Sequence, residues 1–512
     1  MFSDMKVAAA LMPLLLGSSS AAVFPRQANT TAACEQLAAA FPNQMYAPNT
    51  ANYTLNAIDN IWSMTCQLAP SCVFTPTTAE DVSKAVGIIH DTQAVFSVVS
   101  GGHMPVPGAQ TNNGGVVIAM VSMNTLELND DHSVASIGPG NRWQGVYDWL
   151  ANYGLAVAGG RYSNVGVGGI LLAGGISFFG DHVGWGVNTI VGYQVVLGNG
   201  TIIEVSNGSY SDLSWALKGG GNNYGIVTRY DMKTYPTTSA YGGILIWEGE
   251  DTLAEMAAAG DNFYLSPEGL ASAQTHINPS YTVSRQDNGT MLWQSVLVTL
   301  SNGTFDGEPS SLVNFTAIDA PSVGSVQQFD SWVDIPSLVQ EYNTADVNGH
   351  GQLFGCLAST ITTRITQLMI DTILKAAVDE LSDVNGLFVA ISPEPISTNW
   401  LQAAQDAGEY AIDLDPSEGL LVLLMTVTWV DAADDQKTLD FVNSSLTKLK
   451  QSLEDAGTYR QFIYMGDAAP GQEPYSTYGK GDGANVDRLN SVQAAYDPLG
   501  VFKNLITSGF KL

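Results

Sequence analysis

Basic side chains are scarce in this chain. Its 512 residues carry only 19 Lys and Arg against 49 Asp and Glu, for a formal net charge of −30. The few cations are scattered, which argues against nucleic acid, because phosphate binding needs clustered Lys and Arg. The same charge argues against docking on anionic lipid and suits a soluble acidic surface. Long apolar runs are also missing. Residues 7–16 are too short to span a bilayer, and residues 420–430 contain Thr and read as a buried strand. Cysteine is limited to Cys34, Cys66, Cys72 and Cys356, with no pair at zinc-site spacing. No metal centre is expected. A zinc-binding His-Glu-x-x-His helix, a Gly-x-Ser-x-Gly nucleophile elbow and a Walker loop are all absent. Gly166-Val167-Gly168 begins like a dinucleotide fingerprint. Its third position is Leu171 and no acid follows about 20 residues on, so a Rossmann NAD site is not expected.

What is present describes a large folded chain. Apolar residues make up 45% and charged residues 13%, a composition that folds. The length calls for two domains or one two-lobed unit. Lys6, the apolar residues 7–16 and the small Ser20, Ala21 and Ala22 read as a signal peptide, residues 1–22, cut after Ala22. Eight sequons fit a secretory, extracellular route: Asn29, Asn52, Asn199, Asn207, Asn288, Asn302, Asn314 and Asn443. Asn278 is followed by Pro and is excluded.

Strands are expected at 72–74, 95–99, 116–120 and 134–137. A helix after 80 is expected, with Thr77 and Glu80 at capping-box spacing and Val82, Ala85, Val86 and Ile89 on its apolar face. A further helix covers 143–152, and a hairpin at 191–205 turns on Asn199-Gly200. A short helix follows at 211–217. Beyond 243 the glycine clusters thin out. Strands at 291–300 and 420–430 alternate with helices at 365–381 and 436–453, and the last helix spans 486–496. The class is α+β in two lobes. Trp293 and Trp429 could face a pocket, but both sit in apolar strands, so core packing is the expectation.

The informative local feature is Ser100-Gly101-Gly102-His103, placed where a strand ends. Two Gly residues let the backbone turn tightly and aim its N–H groups inward as a nest for phosphate oxygens. The following His is then held beside whatever those phosphates carry.

The run does not stand alone. Gly159-Gly160-Arg161, Val165-Gly166-Val167-Gly168-Gly169, Gly174-Gly175-Ile176-Ser177-Phe178 and Trp215-Ala216-Leu217-Lys218-Gly219-Gly220-Gly221-Asn222-Asn223-Tyr224-Gly225-Ile226-Val227-Thr228 follow in order. Tyr496-Asp497-Pro498 and Gly500-Val501-Phe502 close the chain. In these motifs, over nearly all of it after residue 60, the chain resembles the berberine-bridge-enzyme-like branch of the vanillyl-alcohol-oxidase flavoproteins, of the fungal secreted kind.

The resemblance implies a two-lobed flavoprotein. Its FAD-binding domain at 66–240 is split and completed by 461–512. A substrate domain at 241–460, an antiparallel sheet covered by helices, is inserted, and an arm at 23–65 precedes. It implies FAD bound covalently through His103. Cofactor contacts fall on Ser100, Gly101, Gly102, Val165, Gly166, Gly168, Gly169, Gly174, Gly175, Gly221, Asn222, Gly225, Ile226 and Val227. It also pairs Cys34 with Cys72. Cys66 and Cys356 are left as free thiols or a second pair.

Three departures from the family pattern stand out. Tyr162 occupies the place of a Cys that makes a second flavin bond in many members, so a single link is expected. Val99 replaces a basic residue. In the C-terminal Tyr-x-Asn-Tyr motif only Tyr464 is kept, and Asp467 stands where the second Tyr would be. Tyr464 is therefore the candidate for substrate activation and Asp467 a substitute base. The implied activity is oxidation of a small organic molecule, an alcohol, sugar, amine or secondary metabolite. Hydride passes to flavin, and dioxygen, admitted past the small Val165, is reduced to hydrogen peroxide. A biosynthetic ring closure or desaturation on the same fold, or a secreted flavin-binding protein with decayed catalysis, are the alternatives.

Overall fold

The computed structural model describes residues 25–319, 321–342 and 348–512. The leader at 1–22 lies outside them. Among the described residues no helix is long and apolar enough to cross a membrane.

Among the described residues the first lobe carries two larger sheets and a two-stranded ribbon that pairs Leu155–Ala156 with Tyr235–Pro236. Strands β1 (Cys72–Phe74), β2 (Phe96–Val99) and β3 (Val116–Ala119) run parallel in the order β1-β3-β2, with Met45–Tyr46 antiparallel on the outer edge of β1. Their residues are almost all buried, as parallel strands covered on both faces require. Helix α1 (Pro25–Ala40) and helix α2 (Ala79–Thr92) cover one face. α2 buries Val82, Ala85, Val86 and Ile89, the face its spacing predicts. Its capping box lies one residue later than expected. Thr78 accepts from the Asp81 N–H at 3.2 Å, and Asp81 accepts from the N–H groups of Thr77 and Thr78. Thr77 and Glu80 have the same spacing, but Thr78 is the extended residue at which the helix begins.

The second sheet of this lobe is antiparallel. Strands β4 (Leu126–Leu128), β5 (Val134–Ile137), β6 (Ile190–Val196), β7 (Ile202–Ser206) and β8 (Ile226–Lys233) lie in the order β4-β5-β8-β6-β7. Helix α3 (Trp143–Ala151) and the seven-residue helix α4 (Val167–Ala173) pack on it through Trp143, Val146, Tyr147, Leu150, Val167 and Leu171.

The second lobe is one eight-stranded antiparallel sheet. Strands β9 (Ala240–Glu248), β10 (Thr275–Arg285), β11 (Met291–Asn302), β12 (Val323–Phe329), β13 (Gly351–Thr360), β14 (Phe388–Ile396) and β15 (Leu420–Trp429) lie in the order β12-β9-β11-β10-β14-β15-β13. Tyr459–Arg460 forms the far edge. Alternation along each strand splits the side chains between two faces. Leu245, Trp247, Leu297, Val389 and Leu421 point into a core covered by helix α5 (Glu250–Leu265), the segment Ile365–Met369 to Lys375–Leu381 and the 21-residue helix after Asp434. The expected helix at 365–381 is interrupted by a π turn at Ile370–Leu374. Trp429 is buried in this core and Trp293 packs against it, so both are core residues. The opposite face looks toward the first lobe.

The chain then returns. Val501, Phe502, Leu505 and Ile506 are buried with Phe74, Val86 and Ile118 of the first lobe. Asp497 fixes this return by accepting from the N–H groups of Val501, Phe502 and Lys503 at 2.8–2.9 Å. Cys34 is bonded to Cys72, tying α1 to β1, whereas Cys66 and Cys356 are separate buried thiols.

Candidate functional site

A cavity of about 640 Å³ lies between the lobes. One wall is the turn after β2. Gly101 and Gly166 meet back to back, so a Cβ on Gly101 would sit 2.4 Å from the Gly166 Cα. Gly102 has φ +74°, and a Cβ there would sit 2.1 Å from the Asn60 carbonyl oxygen. Only glycine fits either position. The turn is pinned from outside. The Gly102 carbonyl accepts from the Trp62 N–H and the Gln110 amide, and the Ser100 hydroxyl donates to the Pro139 carbonyl. Among the described residues no protein group accepts from the N–H groups of Gly101 and Gly102. That is the donor set an anionic ligand would use. His103 lies at the end of the turn, its ring stacked on Trp62 with centroids 4.3 Å apart and planes 17° apart.

Val165, Gly166, Gly168 and Gly169 continue the wall, joined by Gly221, Asn222, Gly225, Ile226 and Val227. Gly169 has open space where a Cβ would point. The run 219–221 does not form a second nest, because its N–H groups donate to Leu217, Ala216 and Leu172. Gly174 and Gly175 lie between Ala173 and Ile176, which line the cavity, and they hold Tyr464. The Gly175 N–H donates to the Tyr464 hydroxyl at 3.1 Å, and a Cβ on Gly174 would meet the Tyr464 ring at 3.1 Å.

On the opposite side Tyr464 and Asp467 both line the cavity. Tyr464 stacks on Trp185, 5.6 Å between centroids, and burial raises its phenol above the ordinary range. Asp467 is half-buried, with its Oδ2 sealed from solvent. It does not stand alone. Arg161 forms a buried ion pair with Glu394 of β14, and both also line the cavity. Burial and then the neighbouring Glu394 push the Asp467 carboxyl well above the usual carboxylate range, with Arg161 opposing. Glu394 drew no notice in the sequence, where it is one acid among 49 and 233 residues from its partner. Tyr162 also lines the cavity, beside Arg161.

The arrangement provides a long glycine-walled slot whose amides suit phosphates, ending at His103, and a charged cluster across from it. A flavin dinucleotide fits this cradle: Gly101 and Gly102 would face its phosphates and His103 the ring.

Known proteins agree. A family model described as an FAD binding domain matches residues 70–206. The FAD-dependent monooxygenase prx3 of Penicillium roqueforti is 35% identical over 96% of this chain and 95% of its own length. Among solved structures, 6-hydroxy-D-nicotine oxidase from Arthrobacter nicotinovorans superposes with a TM-score of 0.73 at 22% identity, over 90% of this chain and 96% of that one. The glucooligosaccharide oxidase from Acremonium strictum, whose description names a 6-S-cysteinyl, 8α-N1-histidyl FAD, superposes with a TM-score of 0.67 at 17% identity, over 94% and 99%.

Proposed function

Because this chain belongs to the FAD-linked oxidoreductases of the berberine-bridge-enzyme-like, vanillyl-alcohol-oxidase family, we propose that it is a secreted oxidase of a small organic substrate, with FAD joined to His103 alone. The observation that carries the reading is one cavity holding both the His103 turn and the Arg161–Glu394–Asp467 cluster. When bound, FAD would accept two electrons with a hydride from substrate and pass them to dioxygen, giving hydrogen peroxide.

The protein's own part is binding, orientation and proton handling. The Gly101 and Gly102 amides, with Gly168, Gly169, Gly221 and Asn222, would hold the dinucleotide. His103 would carry the covalent bond, held in position by the Trp62 stack. Tyr162 has no thiol for a second bond. Val165 is small enough to leave dioxygen a path. Deprotonated Asp467 would take the proton of a substrate O–H or N–H group. Arg161 would hold Glu394 in place through their ion pair, and Tyr464 would donate from its held hydroxyl.

Secretion and glycosylation rest on the leader-like residues 1–22 and on the sequons. Asn52, Asn199, Asn207, Asn288, Asn314 and Asn443 are exposed, and Asn29 and Asn302 are part-exposed, so all eight are accessible to modification.

Two measurements test the proposal. Flavin should stay with the acid-precipitated wild-type chain and come free from His103→Ala; flavin released freely from the wild type refutes the bond. Substrate-dependent oxygen uptake should yield one peroxide per dioxygen. The monooxygenase named above motivates the contrary outcome, in which oxygen-18 enters the organic product and peroxide does not form.

A further inference from the structure

The cavity-facing side of the eight-stranded sheet is divided in two. On β9, β11 and β12, three adjacent strands, the lining side chains are Ile244, Ile246, Val296, Val298 and Val323, with one polar group, Gln294, toward the start of β11 opposite Thr282. Register puts them in a block. Ile244 is opposite Val298, and Ile246 is opposite both Val296 and Val323. Val339, from the helix Ile335–Tyr342, adds a sixth aliphatic group. The next strand, β10, is polar, and beyond it Ser392, Glu394, Thr426 and Thr428 are interspersed with Phe354, Phe388, Ala390 and Leu424. Asn278 is opposite Val298 and Ser280 opposite Val296, and Thr282 follows on the same face. Ser280 is hydrogen bonded to Ser392, two residues from Glu394.

The polar half is short of hydrogen bonds. Asn278 Oδ1, Glu394 Oε2 and Asp467 Oδ2 are sealed acceptors without a partner, and Arg161 Nη1 is a sealed donor without one. A buried polar group left so is costly unless a ligand satisfies it. A hydroxyl both donates and accepts, which matches this set. Apart from the Gln294 amide at its edge, the aliphatic block offers neither a hydrogen bond nor a flat ring for a sugar. Seating sugar hydroxyls on it would strip their water with nothing in return.

We propose that the substrate is a mostly hydrocarbon alcohol: its hydroxyl carbon lies at Asn278, Glu394 and Asp467, and its apolar body lies on the Ile244, Ile246, Val296 and Val298 block. This rests on the oxidoreductase reading for the reaction, but the division of the wall is independent of it. An oligosaccharide is the alternative that the block disfavours.

The test is binding, read by perturbation of the flavin absorption band and by calorimetry on the flavin-loaded enzyme. The probes are butan-1-ol, hexan-1-ol and octan-1-ol, with cellobiose for comparison. Each buried methylene should tighten binding by up to about fourfold, from about 0.8 kcal/mol per group. Octan-1-ol should therefore bind at least roughly tenfold more tightly than butan-1-ol. Val298→Thr and Val296→Thr, which nearly keep side-chain volume, should weaken octan-1-ol several-fold and butan-1-ol hardly at all. If either variant fails to fold, the wild-type series decides. Affinity independent of chain length, or cellobiose bound as tightly as octan-1-ol, overturns the proposal. Steep chain-length dependence with no bleaching of the flavin by any alcohol would leave the apolar body standing and refute the oxidase reading instead.

Discussion

Asp467 shows how a single substitution can change the chemistry of a site. The Asp467 carboxyl stays protonated well above the ordinary carboxylate range, because burial penalises its charge and the neighbouring Glu394 then opposes it. As the proposed proton acceptor it would work only when ionised. Its raised pKa therefore means that flavin reduction by substrate should be slow at low pH and rise with pH through that pKa. Asp467→Asn should remove the rising limb and lower the reduction rate by about 10²–10⁴-fold, the usual worth of a positioned base. Stopped-flow reduction across pH measures both. An unchanged pH profile in Asp467→Asn would leave Tyr464 as the remaining candidate. For stability the sign is opposite to that of a salt-bridged acid. A raised folded-state pKa adds stability below the unfolded value, and that stability is lost as pH rises through the folded value.

At the scale of elements, two glycines a short distance apart do different work. Gly101 is a packing glycine, because its missing Cβ is where Gly166 passes. Gly101→Ala should cost about 1–3 kcal/mol as an overpacked backbone contact. Gly169 sits in α4 with open space beyond it. Gly169→Ala should leave stability unchanged or raise it by up to about 1 kcal/mol through helix propensity. Its effect should instead appear as lower flavin content, since the added methyl enters the cavity. Denaturant melts with flavin-to-protein ratios separate the two; a Gly169→Ala protein with full flavin and normal turnover would place the cofactor elsewhere along the wall.

Across the whole molecule, the arm before residue 66 matters because it holds the His103 turn from behind, through Asn60 and Trp62. The Cys34–Cys72 bond anchors that arm to β1 across 38 residues. Loop closure on this scale stabilises by about 3–4 kcal/mol. Cys34→Ser should lose that much in a urea melt. It should also slow flavin incorporation, because the turn loses its backing before β1 loses its neighbours. Equal melts of wild type and variant under oxidising conditions would show the staple to be idle. Cys66 is close to the same turn, donating to the Met104 carbonyl at 3.6 Å, and burial pushes its thiol up to about 12. Thiol exchange at Cys66 should be slow for that reason, which a thiol-reagent titration of the folded protein checks.

Much of this was written in local sequence. β1, the short helix Ser211–Leu217 and the last long helix Val486–Tyr496 match their expected bounds, because alternation and helical spacing act between near neighbours. The glycine runs were equally legible, since a missing Cβ is a property of one residue. Other features belong to closure of the chain on itself. Thr78 rather than Thr77 begins α2 because its backbone is the extended one, a choice between two equal spacings that only the fold makes. Gly174 and Gly175 hold Tyr464, 289 residues from Gly175, a contact no local pattern announces. Glu394 had no local signal at all. Its meaning arises where β14 brings it against Arg161 and opposite Asp467. The sequence by itself determined the elements, the glycine cradle and the family. The tertiary structure decided which charges share a cavity and which half of the sheet is greasy, because burial and long-range pairing are fixed only when distant strands take their register.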